Sequence, residues 1–106
     1  MEAALKAIAT PHRRRILTLV RDDELSAGEI ASQFDVTHSA ISQHLNVLKE
    51  AELVTERRNG TQRLYRARPE GLAELRDFLE EFWEERLTAL KREAEREERR
   101  KHGNDD

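Results

Sequence analysis

The sequence contains no cysteine, only two prolines and four glycines, and aromatic residues make up 5% of it. Without cysteine, the chain can form neither a disulfide framework nor a thiolate metal site. No apolar run approaches the roughly 20 residues that a membrane-spanning helix needs, and the first residues lack the apolar stretch of a signal peptide. These absences argue against a disulfide-rich secreted protein and an integral membrane protein, so we expect a cytoplasmic protein.

Charge is abundant and unevenly distributed along the chain. Charged residues are 39% of the 106 residues, and the net charge of −3 is by itself unfavourable for nucleic-acid binding. However, residues 11–68 hold ten basic against eight acidic side chains, whereas residues 69–106 hold eight against thirteen. Five arginines and no acid lie between positions 57 and 68. This basic segment is a candidate surface for phosphate contacts, because DNA responds to the local field more than to the total charge.

Apolar spacing and capping residues predict a series of short helices in the first half of the chain. The first helix covers residues 2–9 and the second residues 11–21, with Thr10 as its N-cap. Ser26 and Glu29 form a capping-box pattern, which places the start of a third helix at Ser26.

The third and fourth predicted helices form a helix-turn-helix pattern. The third carries Ile30 and Phe34 on one face, residues 35–36 make the turn, and Thr37 caps the fourth helix. The i, i+4, i+7 spacing of the fourth helix directs three apolar side chains to the core: Ile41, Leu45 and Leu48. Two short helices joined by a tight turn, the second with a polar outer face, are typical of DNA-binding domains.

A β-hairpin, the wing, follows the fourth helix. After residue 54 the apolar pattern alternates, and Asn59-Gly60 is predicted as the two-residue loop of a type I′ turn. This loop would place Val54 opposite Tyr65 and Glu56 opposite Arg63. The predicted fold is therefore mainly α-helical with a small β-hairpin, a winged helix-turn-helix.

The last helix is predicted to begin at Pro69 and to be longer than a core this small can cover. We therefore expect a homodimer formed by the first and last helices. The expected interface residues are Leu5, Ile8, Leu72, Leu75, Leu79, Phe82, Trp83, Leu87 and Leu90. Residues 1–90 form the predicted DNA-binding and dimerisation domain, and residues 91–106 a charged extension that is either helical or disordered.

Two sets of polar residues, one on the fourth helix and one on the wing, are candidates for contact with double-stranded DNA. The fourth helix offers short or planar hydrogen-bonding groups near its N-terminus, suited to the major groove, and the wing offers arginines suited to phosphates or a narrow minor groove. The predicted DNA-binding residues are Thr37, His38, Ser39, Ser42, Gln43, Asn46, Arg57, Arg58, Asn59, Thr61 and Arg63. Because the helix dipole disfavours Arg13 to Arg15 at the start of the second helix, these side chains are also candidates for a phosphate contact.

The residues do not form a recognisable catalytic or metal-binding pattern. The acids of the last helix alternate with Arg and Lys and are typical of surface ion pairs. The four histidines, His12, His38, His44 and His102, lack the i, i+3 or i, i+4 spacing of a helical metal site. We expect neither an enzyme nor a bound metal or cofactor.

From residue 5 to residue 90 the chain resembles the ArsR-type winged-helix transcriptional regulators. The resemblance rests on the sequences LKAIATPHRRRIL, LSAGEIASQF, THSAISQHLNVLKEAELV and LYRA. It implies a homodimeric repressor that binds an inverted-repeat operator and is released by an inducer. This chain lacks the cysteines with which many members sense metals, and it has Glu52 where the pattern usually has glycine.

Two alternative functions fit the same fold. A winged helix can serve as a protein-interaction adaptor, here with the acidic last helix as its docking surface. Within the DNA-binding class, the chain could instead be a small-molecule-responsive repressor with an unknown effector bound between two subunits near Trp83.

Overall fold

The computed structural model describes the backbone of residues 1–104 and the side chains of residues 1–101; the remainder of the predicted extension lies outside the described residues. The helices are α1 (Glu2–Ile8), α2 (Pro11–Leu19), α3 (Ala27–Ala31), α4 (His38–Glu50) and α5 (Ala73–Asn104), with a 3-10 helix at Pro69–Leu72. The strands are β1 (Leu25–Ser26), β2 (Val54–Asn59) and β3 (Gln62–Ala67). Met1–Leu75 form one compact unit and the chain from Arg76 onward a second.

The capping residues place the helix-turn-helix as predicted. The Ser26 hydroxyl accepts a hydrogen bond from the Glu29 backbone N–H (3.1 Å), and the Glu29 carboxylate accepts one from the Ser26 backbone N–H (3.0 Å). The Thr37 hydroxyl accepts from the Ala40 N–H at 3.1 Å and so fixes the first turn of α4. However, α3 ends at Ala31, so Phe34 lies in the turn and is only partly buried, and the predicted third helix was too long.

The arginines at the start of α2 join it to α1. Arg13 donates to the carbonyl oxygens of Ala7 (2.6 Å) and Lys6 (3.1 Å), and Arg14 donates to that of Ile8 (2.7 Å). These carbonyls lie at the C-terminus of α1, where the helix dipole favours a cation. The hypothesis that Arg13 and Arg14 reach a phosphate is therefore wrong, because both guanidinium groups cap α1. 

The Arg15 guanidinium lies 4.7 Å from the centre of the Phe34 ring, a cation–π contact. Since this ring lies in the turn before α4, Arg15 links α2 to the helix-turn-helix. The third arginine of the run is thus also engaged within the protein.

The sheet has three strands in the order β1-β3-β2, and the predicted hairpin register was wrong by two residues. Val54 lies opposite Ala67, Glu56 opposite Tyr65 and Asn59 opposite Gln62, so the loop is Gly60-Thr61. Only Gly60 of these loop residues has a positive φ (66°), as in a type II′ turn.

Contacts outside the hairpin explain this register. The Ala67 N–H donates to the Val20 carbonyl (2.9 Å), and the Arg68 N–H donates to the Leu53 carbonyl (2.7 Å). In addition, β1 pairs Leu25 with Tyr65 on the other edge of β3. These contacts fix β3 to the end of α2, to the segment after α4 and to β1. None of them can be read from the alternating pattern of the hairpin itself.

The core lies under α4. The buried apolar residues are Ala4, Ala7, Ile16, Val20, Ile30, Ile41, Leu45, Leu48, Leu53, Val54 and Tyr65. The prediction that Ile41, Leu45 and Leu48 face inward is confirmed, and their burial leaves the opposite face of α4 toward solvent.

Glu52 connects α4 to the wing and stands where the family pattern usually has glycine; its backbone is in the left-handed conformation, with φ of 60°. Its carbonyl lies against Gly71, where an added Cβ would lie 2.2 Å from the Glu52 oxygen. Gly71 is thus required by this close approach.

The second unit consists of α5 from Arg76 onward, and its apolar side chains are exposed. Phe82 is 55% exposed, Trp83 54% and Leu87 61%. Trp83 and Leu87, four residues apart, lie on one face of the helix, and Phe82 lies at the border of that face. In the described part of the chain, no helix combines the length and apolar character needed to cross a bilayer.

Candidate nucleic-acid interface

The outer face of α4 is a continuous polar surface. All of its predicted DNA-binding residues are exposed: Thr37, His38, Ser39, Ser42, Gln43 and Asn46. The first turn of α4 contains no acidic residue. Its free backbone N–H groups and the positive end of its dipole therefore face solvent beside hydroxyl, amide and imidazole groups, which suits an anionic ligand.

His44 lies on the packed side of α4, against α2. Its ring stacks on that of His12 with centroids 5.7 Å apart, and His12 also contacts Phe34 at 5.5 Å. Burial lowers the pKa of His44, and the charges of Arg13 and His12 lower it further. The spacing of the histidines in the sequence gives no sign of this pair, which forms only when α2 packs on α4. The described residues contain no group of three or more metal-ligating side chains.

The strands of the wing place its basic residues on two opposite faces. Because side chains alternate along a strand, Arg58 lies on the same face as Glu56, whereas Arg57 lies on the other. In the register observed, Arg63 is directly opposite Arg58. The three wing arginines predicted as one DNA-binding group therefore form two: Arg58 and Arg63 on one face, and Arg57 on the other.

On the outer face, Arg57 is paired with Glu24, which precedes β1. The guanidinium donates to both carboxylate oxygens, with Nε–Oε2 of 3.0 Å and Nη2–Oε1 of 2.9 Å. These hydrogen bonds hold the pKa of Glu24 below its usual value. The pair spans the sheet from β2 to the start of β1, so Arg57 attaches the wing to the body of the protein.

On the inner face, Glu56 is bonded to two basic side chains. Its carboxylate lies 3.3 Å from Nζ of Lys49 on α4 and 3.4 Å from Nη1 of Arg63 on β3. Tyr65 lies directly opposite Glu56; burial first, and then the Glu56 charge, raise the pKa of Tyr65. The predicted Glu56–Arg63 contact thus exists, as a diagonal pair.

The basic segment at 57–68 lacks acids in sequence but not in space. In the folded chain Glu24 reaches Arg57 and Glu56 reaches Arg63, so acids from outside residues 57–68 neutralise part of this segment. Arg58 forms no ion pair with any residue that the structure describes. Since like charges opposite each other destabilise a hairpin, Arg58 and Arg63 form a pair that an anion would stabilise.

An open groove of about 560 Å3 separates α4 from the wing. Ser42, Asn46 and Lys49 of α4 line one side, and Thr61 and Arg63 of the wing line the other. A helix-turn-helix whose second helix exposes a polar face, beside a basic hairpin, defines the winged-helix class of DNA-binding domains.

Comparison with known proteins agrees with this class. A family model described as a helix-turn-helix domain matches residues 8–57. The HTH-type transcriptional regulator Rv2034 of Mycobacterium tuberculosis is 44% identical over 87 residues, which are 82% of this chain and 81% of that protein. The transcriptional repressor SdpR of Bacillus subtilis is 43% identical over 60 residues, 57% of this chain and 67% of that protein.

Two solved structures extend the comparison. An ArsR-like transcriptional regulator from Rhodococcus sp. RHA1 has a TM-score of 0.72 and 32% identity, covering 89% of each chain. The homodimeric winged helix-turn-helix DNA-binding domain Mb0332 of Mycobacterium bovis has a TM-score of 0.63 and 31% identity, covering 81% of this chain and 80% of that one. The chain belongs to the ArsR family of winged helix-turn-helix transcriptional regulators, and it is a DNA-binding regulator rather than an enzyme.

Proposed function

We propose that this protein is a homodimeric repressor that binds an inverted-repeat operator and blocks access to a promoter. The two copies of α4 would enter successive major grooves, about 34 to 36 Å apart. The exposed polar face of α4, free of acids in its first turn, is the observation that carries the proposal.

The residues of α4 divide by their chemistry. His38, Ser39, Ser42 and Gln43 would contact base edges, because amide and hydroxyl groups match the donors and acceptors of the major groove. Thr37 and Asn46, at the two ends of this surface, would contact the DNA backbone and fix the register of the helix.

The wing would supply contacts to phosphates or to the adjacent minor groove. Arg58 and Arg63 lie on the face toward α4, and Asn59 and Thr61 flank the turn. We assign Arg57 a supporting role, since its guanidinium is already bonded to Glu24 on the far face.

Dimerisation through α1 and α5 is supported by exposed apolar side chains on both helices. Leu5 of α1 is 40% exposed, and Leu79 and Leu90 of α5 are 42% and 49% exposed. The similar Mycobacterium bovis domain is homodimeric. Ile8, Leu72 and Leu75 are each partly buried within the first unit, so they would lie at the edge of such an interface.

Selection of bound fragments from random DNA, together with the solution mass, tests the proposal. We expect an inverted repeat and twice the mass of one chain. A monomeric mass with no preference for any duplex over bulk competitor would contradict it, and would favour a protein-interaction adaptor.

Gln43→Ala tests base recognition by α4. Loss of a bidentate amide contact should reduce discrimination at one base pair of each half-site by about 1–3 kcal/mol, with little effect on random-sequence DNA. Competition binding with single-base operator variants measures this. Gln33→Ala removes the same group from an exposed position outside α4 and is the matched control; equal loss of discrimination in both variants would refute the assignment.

A further inference from the structure

The Glu56 carboxylate lines the groove between α4 and the wing, the two elements proposed to contact DNA. Its side chain is 19% exposed, whereas those of Lys49 and Arg63 are 48% and 59% exposed. A phosphate would be repelled by this carboxylate and attracted by the two cations that it holds. Glu56 therefore occupies, between α4 and the wing, the position that a DNA phosphate would take beside Lys49 and Arg63.

The same contacts fix the relative placement of the two elements. Lys49 belongs to the last turns of α4, Glu56 to β2 and Arg63 to β3, so a single carboxylate bridges the helix and both strands of the wing. Tyr65, buried directly opposite Glu56, restricts the carboxylate from the side of the core.

We propose that Glu56 is a specificity-determining positioning residue, which withholds Lys49 and Arg63 from non-specific phosphate contacts and holds the wing at a fixed distance from α4. The proposal rests on the proposed function. Non-specific binding depends on the number of phosphates neutralised, whereas operator binding also depends on the placement of α4 and the wing. A DNA backbone can gain Lys49 or Arg63 only by displacing Glu56, and a correctly fitted operator compensates for that displacement with base contacts.

Glu56→Gln tests the proposal, because glutamine preserves the shape and removes the charge. With two cations released, the slope of log K against log salt for random-sequence duplex should steepen by about 0.9 to 1.8. Non-specific binding should tighten about threefold to tenfold at low salt, and the ratio of operator to non-specific affinity should fall.

Asp35→Asn is the matched control for a change of one charge. Asp35 is exposed in the turn just before α4 and has no ion pair within the described part of the chain. It should alter long-range attraction slightly and leave both the salt slope and the specificity ratio near the wild-type values. Equal behaviour of Glu56→Gln and Asp35→Asn would overturn the proposal.

Lys49→Met provides a second test that leaves Glu56 in place. In the wild-type background it should change non-specific binding little, since Lys49 is already bonded; in the Glu56→Gln background it should reverse part of the gain. Equal losses in both backgrounds would refute the proposal. If Glu56→Gln folds poorly, the wild-type background alone decides: a fall in the salt slope of about 0.9 on Lys49→Met would show that Glu56 does not withhold Lys49. A wild-type protein that selects no operator would instead refute the proposed function itself.

Discussion

The helix α4 and the wing lie side by side, but different interactions hold them in place. The helix carries three fully or nearly fully buried side chains, and its N-cap and apolar spacing lie within its own sequence. The wing buries only Val54 and Tyr65, and it is held by the Glu24–Arg57 pair, by Glu56 and by the short strand β1. One element is anchored by the core, whereas the other is anchored largely by polar contacts at its surface.

The largest expected effect follows from this difference in burial. Ile41→Ala, at a fully buried position of α4, should lower the free energy of unfolding by about 2–5 kcal/mol, because it leaves a cavity in the core. Chemical denaturation measures the change.

A matched truncation in the wing makes the comparison quantitative. Leu64 of β3 is only partly buried. Leu64→Ala should therefore lower the free energy of unfolding by about 1 kcal/mol, because it removes less buried apolar area than Ile41→Ala. Equal destabilisation by the two variants would show that the wing is as firmly integrated as α4.

The sequence predicted α4 well and the wing only in outline, for a reason visible in particular residues. Thr37, Ile41 and Leu48 act within one helix, so their spacing is sufficient to place it. The hairpin was recognised from alternation and Gly60, but its register depends on hydrogen bonds to Val20 and Leu53, which are remote from the turn.

The candidate site likewise has a part that the sequence predicts, on α4, and a part that it does not, on the wing. The exposed residues of α4 follow from helical periodicity once the buried face is known. The pairing of Glu24 with Arg57 does not, because Glu24 lies 33 positions from Arg57 and outside the wing. The missed strand β1, only two residues long, is likewise formed by its pairing with β3 rather than by any local pattern.

Single arginine substitutions separate the two faces of the wing. Arg58→Ala should weaken operator and random-sequence binding about tenfold and reduce the salt slope by about 0.9, because it removes one cation available to a phosphate. Arg57→Ala should change the slope much less, since Arg57 is bonded to Glu24. Salt titrations of both variants measure the difference. If Arg57→Ala gives the larger change in slope, the assignment of the two faces is reversed.

The smallest expected effect lies at Glu52, the junction of the two elements. A left-handed conformation costs a residue with a Cβ atom about 1–2 kcal/mol, and glycine avoids that cost while increasing the entropy of the unfolded chain by about 0.4–1 kcal/mol. Glu52→Gly should therefore stabilise the fold by about 0.5–1 kcal/mol. Glu52→Ala removes the same carboxylate but keeps the Cβ, so it should give no such gain. Denaturant unfolding of the two variants distinguishes backbone strain from loss of charge: if Glu52→Ala is at least as stable as Glu52→Gly, the φ of 60° imposes no cost, and the junction between α4 and the wing is unstrained.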